Sequence, residues 1–519
     1  MDIAAAEDRA RADIAIVGYG PVGKLLAIML GRRGHRVVVV DRNKIGYPLP
    51  RAVTHCSDFA RILQSVGLAP DTIPEITEPY DDMYVWRNGA GQTLVEVDWS
   101  GRGESGWFNT YFFHQPALED RLDELVGALP TVEVRRGTEA VSLTQSPGGV
   151  RLGLRDGGGE STLEASWLIG ADGANSVVRR WCGIDWVDRG FSYDWLVVDV
   201  VPEPELAFPH VASQNCDYRR PATMVPGGPG RRRWEFMRLP TETREHLDSS
   251  ETAWRLLEPF GLSPDNAELE RHSVYTFRAA LAEQWRSGRV LLAGDAAHLM
   301  PPFAGQGLGA GVRDAMNLSW KLDAVLRGLA AEKLLDSYGP ERRHHAGAFI
   351  DFSVGLGQVI CLTDPDEAAA RDARMLAASD SRPPAPPRPG LGAGLHRGPY
   401  GGQLARQGLV SLGGGPPVHF DDAFDGPGAL IVRTSDLLGR LTEETIAGLG
   451  ELSVSVVALG GPEVPGTSVV KDVDGSYDVW LDDLGSDWVL VRPDFHLYAA
   501  GPGDPTGAAE AFLTDLRTP

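Results

Sequence analysis

Gly18, Gly20 and Gly23 of GYGPVG stand in the spacing G-x-G-x-x-G, and Asp41 follows Gly18 by 23 residues. Such glycines let a pyrophosphate rest on the bare N–H groups of a helix start, while an acid at that distance bonds ribose hydroxyls. A carboxylate there favours a free ribose hydroxyl, so NAD and FAD both fit and NADP fits poorly. A tight turn with a surface Asp is the plainer alternative. A second stretch, GDAAHLMPPFAGQGLG from Gly294 to Gly309, sets Asp295, His298, two prolines and four glycines where backbone N–H groups can meet something negative. His298 reads there as a structural hydrogen-bonding residue rather than a base. A third, GADGANSVVRR, holds Asp172 and Gly173.

Each motif needs a strand to bring it in and a helix to lead it out. DIAIV, PVGKLLAIMLGRRG and HRVVVVD give strand, helix and strand in about thirty residues, a βαβ unit. GRVLLAG precedes the second motif as a short buried strand, and VRDAMNLSWKLDAVLRGL follows with apolar residues at helical spacing. WLIGADGANSVVRRWCGI repeats the pattern around Asp172. Residues 81–109 and 186–285, rich in Trp, Tyr, Phe and Val with turns such as PGGPGRR, read as antiparallel sheet inserted into a discontinuous nucleotide domain of residues 1–80, 110–185 and 286–378. Pro and Gly replace periodicity over 379–402, a linker, and residues 403–519 form a separate small α/β domain.

The chain has 519 residues, 43% of them hydrophobic, enough for two or three cores. A net charge of -22 argues against nucleic acid and anionic membrane surfaces. No apolar run approaches the roughly 18 residues of a membrane span. Cys56, Cys182, Cys216 and Cys361 form no C-x-x-C pair and no metal spacing, so neither a disulfide framework nor a metal site is expected. The expectation is a soluble, unprocessed, cytoplasmic protein.

In this order the three motifs resemble those of the FAD-dependent aromatic hydroxylases, the single-component flavoprotein monooxygenases. Within them the chain is most similar to the 3-(3-hydroxyphenyl)propionate hydroxylase branch, with its polyketide and antibiotic tailoring hydroxylases. The resemblance covers residues 13 to about 360, and LVRPDFHLYAA in the tail resembles that branch's thioredoxin-like C-terminal domain. It implies an α/β fold: a Rossmann-like FAD domain of the glutathione-reductase type, an inserted antiparallel substrate sheet, and a thioredoxin-like domain. No cysteine follows Cys361, so that last domain lacks CxxC and a redox role.

Carried over residue by residue, the resemblance puts the ADP half of FAD on Gly18, Gly20, Gly23 and Asp41. Arg51 and Gln115 would reach its phosphates or ribityl chain; alternatively Arg51 is a surface charge and Gln115 merely caps a helix starting at Pro116. Asp295 would bind the ribityl hydroxyls. Asp172 and Gly173 belong to a segment tied to both FAD and nicotinamide use. Pro302 and the backbone of Gly305, Gly307, Leu308 and Gly309 would lie against the flavin ring. Tyr218, Arg220, Arg233 and Trp234 are substrate candidates; alternation places Arg233 and Glu235 on one face and Trp234 and Phe236 on the other. An ordinary sheet with a solvated charged face explains the same residues. No catalytic acid or base stands out.

The implied reaction hydroxylates a phenolic or heteroaromatic substrate with dioxygen through a flavin hydroperoxide, after reduction of bound FAD by NADH or NADPH. No second G-x-G-x-x-G is present, so the nicotinamide would bind transiently. By analogy the protein forms a homo-oligomer. Epoxidation or Baeyer-Villiger oxidation of a polyketide is the enzymatic alternative, and a non-catalytic FAD-binding scaffold is the other class. Halogenation lacks its W-x-W-x-[IP] signature, and a simple NAD dehydrogenase has no need of the Asp295 motif.

Overall fold

The computed structural model describes residues 11–204, 206, 208, 211–378, 387–424 and 426–518. Residues 379–386 of the expected linker lie outside them. β1 (Ala12–Val17), α1 (Pro21–Arg32) and β2 (Val37–Asp41) form the first unit. β1 is apolar along its length because a parallel strand in the middle of a sheet is covered on both faces. It pairs in parallel with β2, Ile16 opposite Val39, and with β3 (Gly159–Gly170), Ile16 opposite Ile169. The sheet runs 286–287, 290–292, β3, β1, β2, 132–136, so its strands come from four distant parts of the chain. α1 starts directly after Gly20 with Pro21 in its first turn, where a missing N–H costs nothing.

A second sheet of eight strands crosses over it in the order 298–299, 267–282, 186–202, β4 (Arg232–Met237), 222–226, 212–216, 83–88, 93–98. One face looks toward the nucleotide unit. On the other, Trp234 and Phe236 of β4 pack with Leu196, Val198 and Leu247. α2 (Gly307–Leu326) packs on α1, and α3 (Tyr338–Ile360) packs on α2 and on strands 186–202, 212–216 and 267–282 of the second sheet.

In the C-terminal unit, strands 428–432, 454–458 and 468–472 are parallel, and 488–491 and 497–501 are added antiparallel. It joins the main body through buried charge. Glu341 of α3 meets Lys321 at 2.6 Å and Arg492 at 2.8 Å, and Arg492 also meets Asp494 at 2.6 Å. Among the described residues no single helix is long and apolar enough to cross a membrane, and no group of His, Cys, Asp and Glu is placed to hold a metal.

Candidate active site

Two cavities of about 310 and 330 Å3 adjoin along the ends of β1, β2 and β3. They share Gly20, Pro21, Arg51, Gln115, Ala171, Gly173 and Asp295 in their walls, so together they form one long groove. The three glycines of the first motif have different reasons for lacking a side chain. A Cβ on Gly18, whose φ is 106, would stand 2.2 Å from Ala171 O just past β3, and one on Gly23 of α1 would stand 2.1 Å from Gly18 O; both keep the turn closely packed. A Cβ on Gly20 would meet no protein atom within 4 Å, although Gly20 lines both cavities. Neither packing nor its φ of -81 requires a glycine there. Asp41 lines the outer cavity, accepting from Tyr19 N at 2.8 Å and from Asn43 N at 2.7 Å.

Gln115 fixes the loop opposite. Its Oε1 accepts from Arg51 N at 3.1 Å and Ala52 N at 2.7 Å, and its Nε2 donates to Glu119 Oε1 at 2.8 Å. The helix begins at Gln115 itself, and no side chain caps it. The Arg51 guanidinium lies 4.7 Å from the ring centre of Tyr47. Asp172 has a local task first: its Oδ2 accepts from Val177 N and Val178 N and so holds the start of a short helix, while burial pushes its carboxyl above the usual range.

At the inner cavity, Pro302–Ala304 make one tight turn and Gly305 takes φ 63, the left-handed conformation that favours glycine. α2 then opens at Gly307, whose missing Cβ also faces open space. Its first N–H groups have no partners within the helix. Leu308 lies on the wall, whereas Gly309 turns toward Arg313 and Gln306. Asp295 is solvent-accessible on the groove floor, yet it sits deep enough for burial to raise its pKa, against the pull of His298 and Arg51. His298 is structural: its Nε2 is 2.8 Å from Asp314 Oδ2, which also accepts from Gly294 N at 2.9 Å. Arg342 Nε donates to the other oxygen of Asp314 at 2.9 Å. Burial would raise the Asp314 pKa, and His298 and Arg342 outweigh it.

The second sheet walls the inner cavity with Tyr84, Thr223, Arg233 and Glu235; Trp99, just past strand 93–98, Phe112 from a separate three-stranded sheet, and Met300 and Phe303 complete the lining. Alternation along β4 holds, but the charged face is the buried cavity face, with Arg233 3% and Glu235 8% exposed, not a solvated one. Three of the four substrate candidates fall elsewhere. Trp234 belongs to the core on the far side, because that face is covered as well. Tyr218 is 39% exposed on a turn. Arg220 is taken by Glu242, at 2.5 and 2.7 Å. Arg233 does reach the cavity wall, where it carries the Arg51 loop: Nη1 donates to Arg51 O at 2.6 Å and Nη2 to Pro50 O at 2.9 Å. Glu235 was visible in sequence only as the residue sharing a face with Arg233. Tyr84, Trp99 and Phe112 carried no local signal.

The chain matches the FAD binding domain family over residues 11–353 and the HcaD C-terminal domain over residues 402–515. It is 36% identical over 495 residues to a protein of Rhodococcus jostii named as a probable NADH-specific resorcinol 4-hydroxylase, covering 94% of this chain and 92% of that one. It is 34% identical over 531 residues to a 3-(3-hydroxy-phenyl)propionate/3-hydroxycinnamic acid hydroxylase of Klebsiella pneumoniae, covering 98% and 95%. In fold it is similar to the flavin-dependent monooxygenase PieE, solved with FAD and substrate, with a TM-score of 0.80, 22% identity, and 97% and 99% of the two chains covered. The chain is an FAD-dependent oxidoreductase belonging to the family of the FAD-dependent aromatic hydroxylases.

Proposed function

We propose that FAD lies along the groove and that an aromatic substrate is hydroxylated in the inner cavity, between the flavin ring and the second sheet. The observation that carries this is the continuous groove with Gly20 and Gly307 facing open space inside it. Gly20 and Asp41 would hold the pyrophosphate and ribose, with Gly18 and Gly23 packing the turn that presents them. Arg51, in a loop fixed by Gln115 and Arg233, would pair with a phosphate. Asp172 and Gly173 border the outer cavity, Asp172 shaping it through the helix it caps. Asp295 would bond the ribityl hydroxyls, and Pro302, Gly305, Gly307 and Leu308 would lie against the ring.

When bound, FAD supplies the redox chemistry, passing a hydride equivalent from NADH or NADPH to dioxygen so that one oxygen atom enters the aromatic ring and the other leaves as water. The N-terminus of α2, whose Gly307 and Leu308 line the inner cavity, would direct its free N–H groups and positive dipole end at the ring and stabilise negative charge there. Tyr84, Trp99, Phe112 and Phe303 exclude water and stack a flat ligand. We read NADH as the reductant, after the Rhodococcus relative. The four free cysteines support a cytoplasmic location.

The test is anaerobic reduction of the FAD-loaded protein by NADH and by NADPH, with and without a panel of phenols. One phenol should speed reduction by NADH severalfold and return hydroxylated in air. Failure to take up FAD, or reduction that no aromatic changes and that yields only peroxide, would sink the reading.

A further inference from the structure

Glu235 is a polar group that the fold leaves unspent on the sheet wall of the cavity. Its side chain is 10% exposed and lines the inner wall. No described residue donates a hydrogen bond to it, and Arg233 Nη1 comes no nearer than 3.9 Å. A buried carboxylate without donors is costly unless a ligand supplies one.

The cation beside it is in the opposite condition. Arg233 Nε and Nη2 donate to the two oxygens of Asp199 at 2.7 and 2.9 Å, Nη2 donates again to Pro50 O at 2.9 Å, and Nη1 donates to Arg51 O at 2.6 Å. Four of its five N–H groups are used, so no two-pronged site for a carboxylate remains. Arg51, the other cation on the wall, stands where the cavities join, over the Tyr47 ring and within electrostatic reach of Asp295. Gln214 is also occupied: its Oε1 accepts from Thr223 at 2.7 Å and its Nε2 donates to Ala222 O at 2.9 Å.

With Arg233 spent and Arg51 assigned above to a phosphate, an open acceptor on this wall suits a ligand that donates hydrogen bonds and carries no negative charge. Resting on the aromatic hydroxylation proposed above, we infer that Glu235 accepts a hydrogen bond from a phenolic hydroxyl, and that this cavity takes uncharged hydroxyarenes rather than aromatic carboxylates. The names of the relatives include both kinds, a resorcinol and a phenylpropionate, at 36% and 34% identity. Identity does not separate them; the charge on the wall does. Burial raises the Glu235 pKa and Arg233 lowers it, yet the group remains an acceptor in either protonation state.

The test is calorimetric binding of resorcinol and of 3-(3-hydroxyphenyl)propionate to the FAD-loaded enzyme and to its Glu235→Gln and Glu235→Leu variants, with FAD affinity and Tm as folding controls. The wild type should bind resorcinol at least tenfold more tightly than the acid. Glu235→Leu should weaken resorcinol by about tenfold or more, the loss of one charge-assisted hydrogen bond. Glu235→Gln, which keeps an acceptor and drops the charge, should recover part of that and bind the acid more tightly than the wild type does. Tighter binding of the acid by the wild type, or unchanged resorcinol binding in a folded Glu235→Leu protein, overturns the inference alone. If no aromatic binds and none stimulates reduction, the hydroxylase reading falls with it.

Discussion

Buried charge is handled in two ways in this protein. At the junction with the C-terminal unit Glu341 is saturated: it accepts from Lys321 Nζ at 2.6 Å, Arg492 Nη2 at 2.8 Å, Asn317 Nδ2 at 2.9 Å and Leu395 N at 2.8 Å. Burial alone would raise its pKa, and Arg492 and Lys321 overcome that, holding it well below the usual carboxylate range. In the groove, Glu235 is buried in the wall and Asp295 lies deep on the open floor, and both stay above that range because desolvation dominates. A saturated carboxylate has its stabilising partners in the chain. One left short of donors is poised for a molecule that is not part of the chain.

The largest expected effect tests the saturated cluster. Glu341→Ala leaves Lys321 buried without its anion and Arg492 with Asp494 alone, and should cost about 3–5 kcal/mol in denaturant unfolding, with ligand affinities of the remaining folded protein unchanged. A loss below about 1 kcal/mol would show the cluster to be dispensable. Acid attacks the same place. Glu341 and Asp494 both have lowered pKa values, for Asp494 through Arg492 and His496 against burial, so their stabilisation is present above the unfolded values of about 4 and is lost as pH falls below them. The unfolding midpoint should drop on acidification below about pH 4, less steeply in Glu341→Ala.

Two glycine variants separate packing from ligand space. Gly23→Ala forces a Cβ onto Gly18 O and should destabilise the protein by about 1–3 kcal/mol. Gly20→Ala meets nothing in the protein, so the Tm of the FAD-free protein should hold while FAD affinity falls, read by flavin fluorescence. Asp295→Asn should weaken FAD by about tenfold with little change in stability. The smallest effect belongs to Tyr218→Phe, within about 0.5 kcal/mol in stability and without effect on substrate binding; a marked loss of binding would bring the exposed turn back into the site.

What could be read from sequence was what lies close together in it. Glycines 18, 20 and 23 and Asp41 span 24 residues and lie in one βαβ unit, so spacing alone brought them to one turn of the fold. The Gly294–Gly309 segment was legible for the same reason. The second sheet was not, because its cavity collects residues from strands far apart: Tyr84 and Gln214 meet across 130 residues. β4 shows the limit well. Alternation separated its two faces correctly, but both are buried, one against a hydrophobic cluster and one against the cavity, so Trp234 looked as eligible as Arg233. Arg220 was spoiled as a candidate by Glu242, a partner 22 residues away that no local pattern announces.

The strand order has a consequence for synthesis. β1 lies against β3, and residues 290–292 close on β3 in turn, Ile169 opposite Leu291. A ribosome must therefore deliver more than half the chain before β3 has both its parallel neighbours, and the seat of Glu341 waits longer, until Arg492 emerges. Contacts so distant in sequence make for slow folding and a prolonged exposure of unpaired sheet edge. The nascent chain spends most of its manufacture with the groove unfinished, which makes chaperone supply and translation rate the natural levers on its yield.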